Sequence, residues 1–357
     1  MNNINKYICC IAILILNACG GGDGNGDSEP ARNDVAALGR KIFFDANLSS
    51  SKTVSCASCH AISTAFSDPN HAVVSDGAVP GVKATRNSPS IMYSMFSPVF
   101  GFSAEEGDYV GGQFHDGSAI DLQEQAKRPL FRNSEMNLSG SEELAARIRS
   151  ADYLPEFKEV YGEQTLEDPE QVLIAVTDAL SIFENSQELR PFSSKYDAWA
   201  AGASTLTDQE LRGLSLFNAE NKGNCAACHP STAEDSSTRR ALFTDFTYDN
   251  IGLPANRSAN TGSDIGLYGT TGRPADIGRF KVPTLRNVEK TAPYFHSGVM
   301  NTLAETVHFY NARDTDGTIA KPEFPANMNK AELGNLGLTS SEEEDIVAFL
   351  RTLSDGY

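Results

Sequence analysis

Apolar residues recur along this chain mainly with a helical period. After Asp168-Pro169 they are spaced three or four positions apart, which predicts a helix with one buried face: Val172, Val176, Leu180 and Phe183. Thr207 to Glu210 and Thr339 to Glu342 have the spacing of a capping box and predict two further helix starts. Alternation with a period of two is too scarce for a sizeable sheet. The pattern therefore predicts a mainly α-helical protein.

One pattern occurs twice and suggests two related domains. Gly39-x-x-x-Phe43 and Gly213-x-x-x-Phe217 each precede a pair of cysteines. Stretches rich in Gly, Pro, Ser and Asn, notably residues 67–97 and 233–283, predict long loops between the helices. We therefore expect a first domain at residues 35–190, a linker with Trp199 at residues 191–204, and a second domain at residues 205–357.

The first residues predict export. Lys6 precedes an apolar run at residues 8–16 that is too short to span a bilayer, and small residues follow, so residues 1–18 are predicted to be a signal peptide. Leu16-Asn17-Ala18-Cys19 resembles the lipobox of bacterial lipoproteins, which implies a lipid on Cys19; Gly20 after it implies the outer membrane. The alternative is an ordinary signal peptide with an incidental cysteine. The polar composition of residues 19–34 predicts a flexible tether in the periplasm.

Charge excludes one class of partner. The 357 residues include 47 acidic and 29 basic side chains, for a formal net charge of -18. Such a chain is not suited to bind a phosphate backbone, so we expect no nucleic-acid partner. An acidic exported protein attracts basic proteins instead.

Cysteine spacing carries the strongest chemical signal. Of seven cysteines, Cys9 and Cys10 lie in the predicted signal peptide and Cys19 directly follows it; the others form Cys56-x-x-Cys59-His60 and Cys225-x-x-Cys228-His229. Two thiols at this spacing can form thioethers with the vinyl groups of one haem, and the adjacent histidine can bind its iron. No further cysteine pair is present to complete a four-sulfur zinc site. We predict two covalently bound c-type haems.

At this point the sequence resembles the bacterial di-haem cytochrome c peroxidases and their relative MauG. The resemblance extends over about residues 37–353, and its segments are 38–45, Arg86-Asn87-Ser88-Pro89, 121–126, Pro129 with 134–136, 281–287 and 291–298. It implies two cytochrome-like haem domains with long loops. It also implies that the haem on His60 meets hydrogen peroxide and that the haem on His229 relays electrons.

The resemblance suggests a further iron ligand. The family ligates the relay haem with a residue fourteen positions after the histidine of Tyr294-Phe295-His296, methionine in the peroxidases and tyrosine in MauG. Tyr310 occupies that position here. A phenolate favours oxidised iron, so this ligation would lower the potential. The alternative is that Tyr310 is a half-buried packing residue.

The resemblance also implies a catalytic pocket. Glu135 matches the family's proton-transferring glutamate, Gln125 its distal glutamine, and Pro129 the proline that limits access. From the residues alone, Glu135 could equally be an acid at a helix start. Many relatives carry a distal histidine that has no counterpart in residues 76–81, so the iron is expected to be open. His71 is the rival ligand, in a stretch typical of a solvated turn.

Two further positions depend on the resemblance. The family places a tryptophan between the haems where this chain has His115, so His115 is either part of the electron path or a hydrogen-bonded structural histidine. The side chain of Asn87 and the carbonyls of Thr291 and Pro293 match a calcium site between the domains.

The expected activity is peroxide reduction with electrons from a small cytochrome c or cupredoxin. One alternative is a MauG-like enzyme that oxidises side chains of a protein substrate. Another is a di-haem electron-transfer cytochrome without catalysis. The expected assembly includes a lipid anchor in the membrane and allows a homodimer.

Overall fold

The computed structural model of the protein describes residues 31–232, 240–256 and 263–357. The predicted signal peptide, Cys19 and most of the predicted tether lie outside the described residues. Eleven α-helices occur in the part described: α1 Arg32–Phe43, α2 Cys56–Cys59, α3 Leu122–Phe131, α4 Ser141–Ile148, α5 Leu154–Tyr161, α6 Pro169–Glu184, α7 Lys195–Ala200, α8 Asp208–Asn218, α9 Tyr268–Thr271, α10 Leu303–Ala312 and α11 Ser340–Arg351. None of the helices in these ranges is long and apolar enough to cross a membrane.

The strands are short, and the prediction of a mainly helical protein is confirmed. Antiparallel pairs form between β1 Gly101–Ser103 and β2 Asp108–Val110, and between β3 Tyr248–Asp249 and β4 Phe280–Lys281. Residues 60–121 contain no α-helix and run as short 3₁₀ turns, bends and the first strand pair.

Local sequence signals set the predicted helix starts. The Asp168 side chain accepts from the backbone N–H of Glu170 at the start of α6. Thr207 and Thr339 form reciprocal capping boxes at the starts of α8 and α11. These three predicted starts are confirmed, because each cap satisfies donors that a helix leaves unpaired.

The duplicated Gly-x-x-x-Phe pattern marks two equivalent helix crossings. α1 packs against α6, and α8 packs against α11. A Cβ added at Gly39 would lie 1.9 Å from the carbonyl oxygen of Ala179, and one at Gly213 would lie 2.0 Å from that of Asp345. Only glycine permits this approach, so each half carries the same close crossing.

Two hydrophobic cores surround these crossings. The first core draws its buried residues from 35–189 together with Leu242, and the second draws them from 196–353. The segment predicted as a linker is not extended, because it contains α7, whose Tyr196 is buried in the second core. The N-cap of α7, Ser194, is hydrogen-bonded to Asp197.

Candidate haem sites and catalytic pocket

The first cysteine motif forms α2 and the turn after it. Cys56 and Cys59 are free thiols, and His60 follows directly. The Nδ1 atom of His60 lies 3.0 Å from the carbonyl oxygen of Phe66; since a carbonyl only accepts, Nδ1 carries the proton and Nε2 is free to bind a metal. Burial lowers the pKa of His60, which keeps the imidazole neutral, as a metal ligand must be.

The second motif repeats this arrangement. Cys225 and Cys228 are free, and Nδ1 of His229 donates to the carbonyl of Phe243 at 2.8 Å. Burial lowers the pKa of His229 to about 4. The same hydrogen bond therefore orients both histidines and leaves the same ring nitrogen available.

The residues around both motifs fit a covalently bound haem. Phe43 and Phe183 pack 5.2 Å apart between ring centres beside the first motif, and Phe217 and Phe349 pack 5.1 Å apart beside the second. Each site thus combines two thiols, one oriented imidazole and an aromatic wall, which is the donor set that a c-type haem requires.

The predicted catalytic residues lie together after the first motif. α3 carries Gln125 and Pro129 one turn apart, and the backbone N–H of Met136 donates to the carbonyl of Pro129 at 3.1 Å. This bond folds the chain back at the end of α3, and Glu135 lies in the turn that it closes. Oε1 of Glu135 lies 3.0 Å from Nη1 of Arg132.

Glu135 lies near the two cysteines of the first motif. Burial raises the pKa of Cys56 and of Cys59, and the charge of Glu135 contributes to both shifts. The loop that lacks the family's histidine packs on the backbone of this residue, since Ala78 N–H donates to the Glu135 carbonyl at 2.6 Å. Exposed His71 instead donates from Nδ1 to the carbonyl of Ala292 at 2.8 Å.

Tyr310 lies beside the second motif on α10. Burial raises the pKa of its hydroxyl, and the nearby Cys228 and Cys225 add to that shift. Among the described residues, no hydrogen bond reaches this hydroxyl, although a buried packing tyrosine normally has a partner. The carboxylates of Asp249 and Glu332 lie within 4.8 Å of the Cys228 sulfur, so the surroundings are acidic.

Comparison with known proteins identifies the family. A family model described as di-haem cytochrome c peroxidase matches residues 33–205. MauG of Paracoccus denitrificans is 36% identical over 374 residues, which is 98% of this chain and 95% of that protein. This chain belongs to the di-haem cytochrome c peroxidase and MauG family. It is a haem oxidoreductase, and membership of this di-haem family implies two c-type haems.

Two other members of the family match most of this chain, one in sequence and one in structure. Cytochrome c551 peroxidase of Nitrosomonas europaea is 31% identical over 330 residues, covering 91% of this chain and 81% of that one. The crystal structure of the diheme peroxidase BthA from Burkholderia thailandensis superposes with a TM-score of 0.80 at 35% identity, covering 90% of this chain and 86% of that one. The relatives include both peroxidase and MauG names, so the family by itself does not choose between the two activities.

The junction between the halves of this di-haem protein contains His115. Its Nε2 donates to the backbone carbonyl of Asn87 at 3.0 Å. Burial, followed by the charge of Arg86, lowers its pKa to about 4. Arg86 itself is bound to Asp264 and Asp116, each at 2.6 Å. The hydrogen bond from His115 to Asn87 agrees with the alternative that His115 is a structural histidine. That His115 belongs to the electron path between the haems stays a prediction.

The predicted calcium ligands lie on two segments that are joined at this junction, where the backbone N–H of Asn87 donates to the carbonyl of His296 at 2.8 Å. Asn87 is buried, and its Nδ2 donates to the carbonyls of Ala72 and Val73, which directs Oδ1 away from them. Among the described residues, no hydrogen bond reaches the carbonyls of Thr291 and Pro293. Amide and carbonyl oxygens suit a hard cation, so these residues fit the predicted calcium ion.

Sequence reasoning missed two buried charged groups. Arg286 pairs with Asp197 across 89 residues, and Glu184 lies buried near Cys56. The signal for Glu184 was present in the duplication, because Phe183-Glu184 in the first half corresponds to Phe349-Leu350 in the second.

Proposed function

We propose that the protein reduces hydrogen peroxide at the haem held by Cys56, Cys59 and His60. Electrons arrive from the haem held by Cys225, Cys228 and His229, which receives them from a small cytochrome c or cupredoxin. The observation that carries this proposal is the difference between the two sites: the carboxylate of Glu135 lies near the cysteines of the first, and the hydroxyl of Tyr310 lies near the cysteines of the second.

Haem iron, when bound, supplies the redox chemistry that opens the O–O bond. Cleavage also requires a proton to move from the near oxygen to the leaving oxygen. Glu135 can accept and return this proton, and its bond to Arg132 holds the carboxylate in place. Gln125 and Pro129 lie on the same face of α3; Gln125 offers an amide donor, and Pro129 narrows the approach.

Replacement of Glu135 tests the proposal. Glu135→Gln should lower kcat/KM for peroxide about 10²–10⁴-fold, because the amide cannot carry the proton. The assay follows oxidation of a reduced basic cytochrome c in the holoprotein. Glu142→Gln is the matched control, since Glu142 is exposed on α4. If Glu135→Gln turns over like the control at equal haem content, the protein is not a peroxidase of this type.

A MauG-like activity is the second candidate, and the position of Tyr310 favours it. A phenolate ligand stabilises oxidised iron, which suits an enzyme that stores oxidising equivalents. A partner protein that gains a peroxide-dependent mass change, without turnover of reduced cytochrome c, would support this activity. If peroxide produces neither result and both irons are six-coordinate, the protein is an electron-transfer cytochrome.

We further propose that the protein acts in the periplasm, anchored to the outer membrane by a lipid on Cys19. The net charge of -18 supports a basic donor. Labelling with a radioactive fatty acid should mark the native chain and not a Cys19→Ala variant. Light scattering would decide whether the holoprotein is a homodimer.

A further inference from the structure

Glu184 is a buried acid without a partner. It is the last residue of α6 and is 5% exposed. Burial raises its pKa to about 8. Within the described residues, its carboxyl group makes no hydrogen bond or ion pair, although buried acids are rarely left without one. The carboxylate form of this side chain is therefore unfavourable unless it takes up a proton or another group binds it.

The two residues that follow share this property. Oδ1 of Asn185 and Oγ of Ser186 are buried and have no hydrogen-bond partner in the part of the chain described. Buried polar atoms are normally satisfied by protein or by ordered water. Ordered water is the partner that such groups normally take, and a chain of ordered water can carry protons.

This place lies beside the first haem site. The charge of Glu184 is second only to burial among the causes that raise the pKa of Cys56. Its neighbour Phe183 packs 6.5 Å from Phe66, whose carbonyl accepts the hydrogen bond of His60. Glu184 thus lies close to the residues that would hold the first haem.

The second half shows that the fold does not need an acid here. Gly39 lies against Phe183 as Gly213 lies against Phe349, so the two crossings are equivalent. Leu350 then occupies the position of Glu184 and is buried in the second core, against which Cys225 packs. A leucine would satisfy packing at both positions, so the acid at the first site has another role.

Neighbouring charges are engaged elsewhere. On the helices packed against α6, four basic groups pair with other acids: Arg40 with Glu188, Lys41 with Glu156, Arg128 with Glu124, and Arg147 with Glu143. The other two, Arg32 and Lys127, are exposed. On α6 itself, Asp178 accepts from the hydroxyl of Tyr161. Cys56 is the titratable group whose charge interacts with Glu184, and it is consumed when the thioether forms.

We propose that Glu184 is the redox-linked proton site of the first haem. It takes up a proton from hydronium in the solvent when that haem gains an electron from the second haem, and it returns the proton to water when the electron leaves. For each electron gained, one O–H bond of hydronium breaks and one O–H bond of the carboxyl group forms. The physical reason is that a carboxylate buried beside the haem opposes added negative charge, whereas the neutral acid does not. The inference rests on the haem assignment in the proposed function and does not require peroxide turnover.

The test is the midpoint potential of the first haem as a function of pH, measured by spectroelectrochemistry on the holoprotein. The wild-type potential should fall as pH rises over about 6 to 9, the range around the pKa of a buried acid. Glu184→Gln and Glu184→Leu should lose this slope. Glu188→Gln, an exposed acid four residues on, should keep it. A slope in Glu184→Gln equal to that of the wild type would overturn the proposal.

A second measurement covers variants that fail to bind haem. The infrared difference spectrum of the wild type, reduced minus oxidised, should show the C=O band of a carboxylic acid that gains a proton; absence of the band overturns the proposal. A protein that keeps the pH slope but does not reduce peroxide would refute the proposed function alone. A peroxidase without the slope would refute this inference alone.

Discussion

Arg286 holds the second core to the segment that joins the two halves. Its side chain is fully buried, and both terminal nitrogens lie 2.9 Å from the carboxylate of Asp197 on α7. Its Nε donates to the carbonyl of Ala241 at 2.8 Å, and the guanidinium lies 4.4 Å from the ring centre of Phe192. Burial would raise the pKa of Asp197, but the hydrogen bonds and charge of Arg286 outweigh it and hold that pKa below 3.8.

Arg286→Met keeps the length of the side chain and removes the charge. The carboxylate of Asp197, 11% exposed, is then left without its partner. Removing one member of a buried pair costs about 3–5 kcal/mol. For a domain of this size, 1 kcal/mol corresponds to about 2–4 °C in Tm, so we expect a decrease of about 6–20 °C.

The assay is thermal unfolding of the holoprotein followed by circular dichroism. Arg351→Met is the control, because Arg351 is 61% exposed and lies 3.5 Å from Glu289; it should change stability by about 0–1 kcal/mol. Adding Asp197→Asn to Arg286→Met should recover part of the loss, since the unpaired charge is gone. Equal effects of Arg286→Met and Arg351→Met would refute the reasoning.

Three further predictions follow from the packing, the oxygen cluster and one surface histidine. Gly39→Ala and Gly213→Ala should each lower the free energy of unfolding by about 3 kcal/mol or more, because the added Cβ would overlap a backbone carbonyl. An unchanged yield and Tm would contradict the close helix crossing at these glycines. Chelation of calcium should lower Tm reversibly, and a calcium-free protein with unaltered Tm would exclude the site at Asn87. Hydrogen bonds to Glu343 and Asp316 raise the pKa of His308 above 6.5. Their contribution to the free energy of unfolding is therefore fully present below pH 6.5 and is lost as pH rises through the higher pKa of the folded state. His308→Gln should flatten the fall in Tm over this range, and a parallel fall would exclude the effect.

The sequence alone determined the features that depend on neighbouring residues. Cys56-x-x-Cys59-His60 places two thiols and an imidazole within one turn, whatever the rest of the chain does. The cap at Thr207 likewise acts over three residues, so its helix start could be predicted from spacing. The resemblance added Tyr310 and Glu135, which no local pattern identified.

Only the tertiary structure decided which distant groups meet. Arg286 and Asp197 are 89 residues apart, and His71 and Ala292 are 221 apart. No spacing rule connects such positions, because their contact depends on how two helix crossings pack and on the loops between them. The same is true of Glu184. The local sequence around it resembles that of other helix ends, and Glu184 is chemically distinct because it is buried near Cys56 without a partner. Local hydrogen bonding acts within a few residues, whereas burial is a property of the whole packed chain.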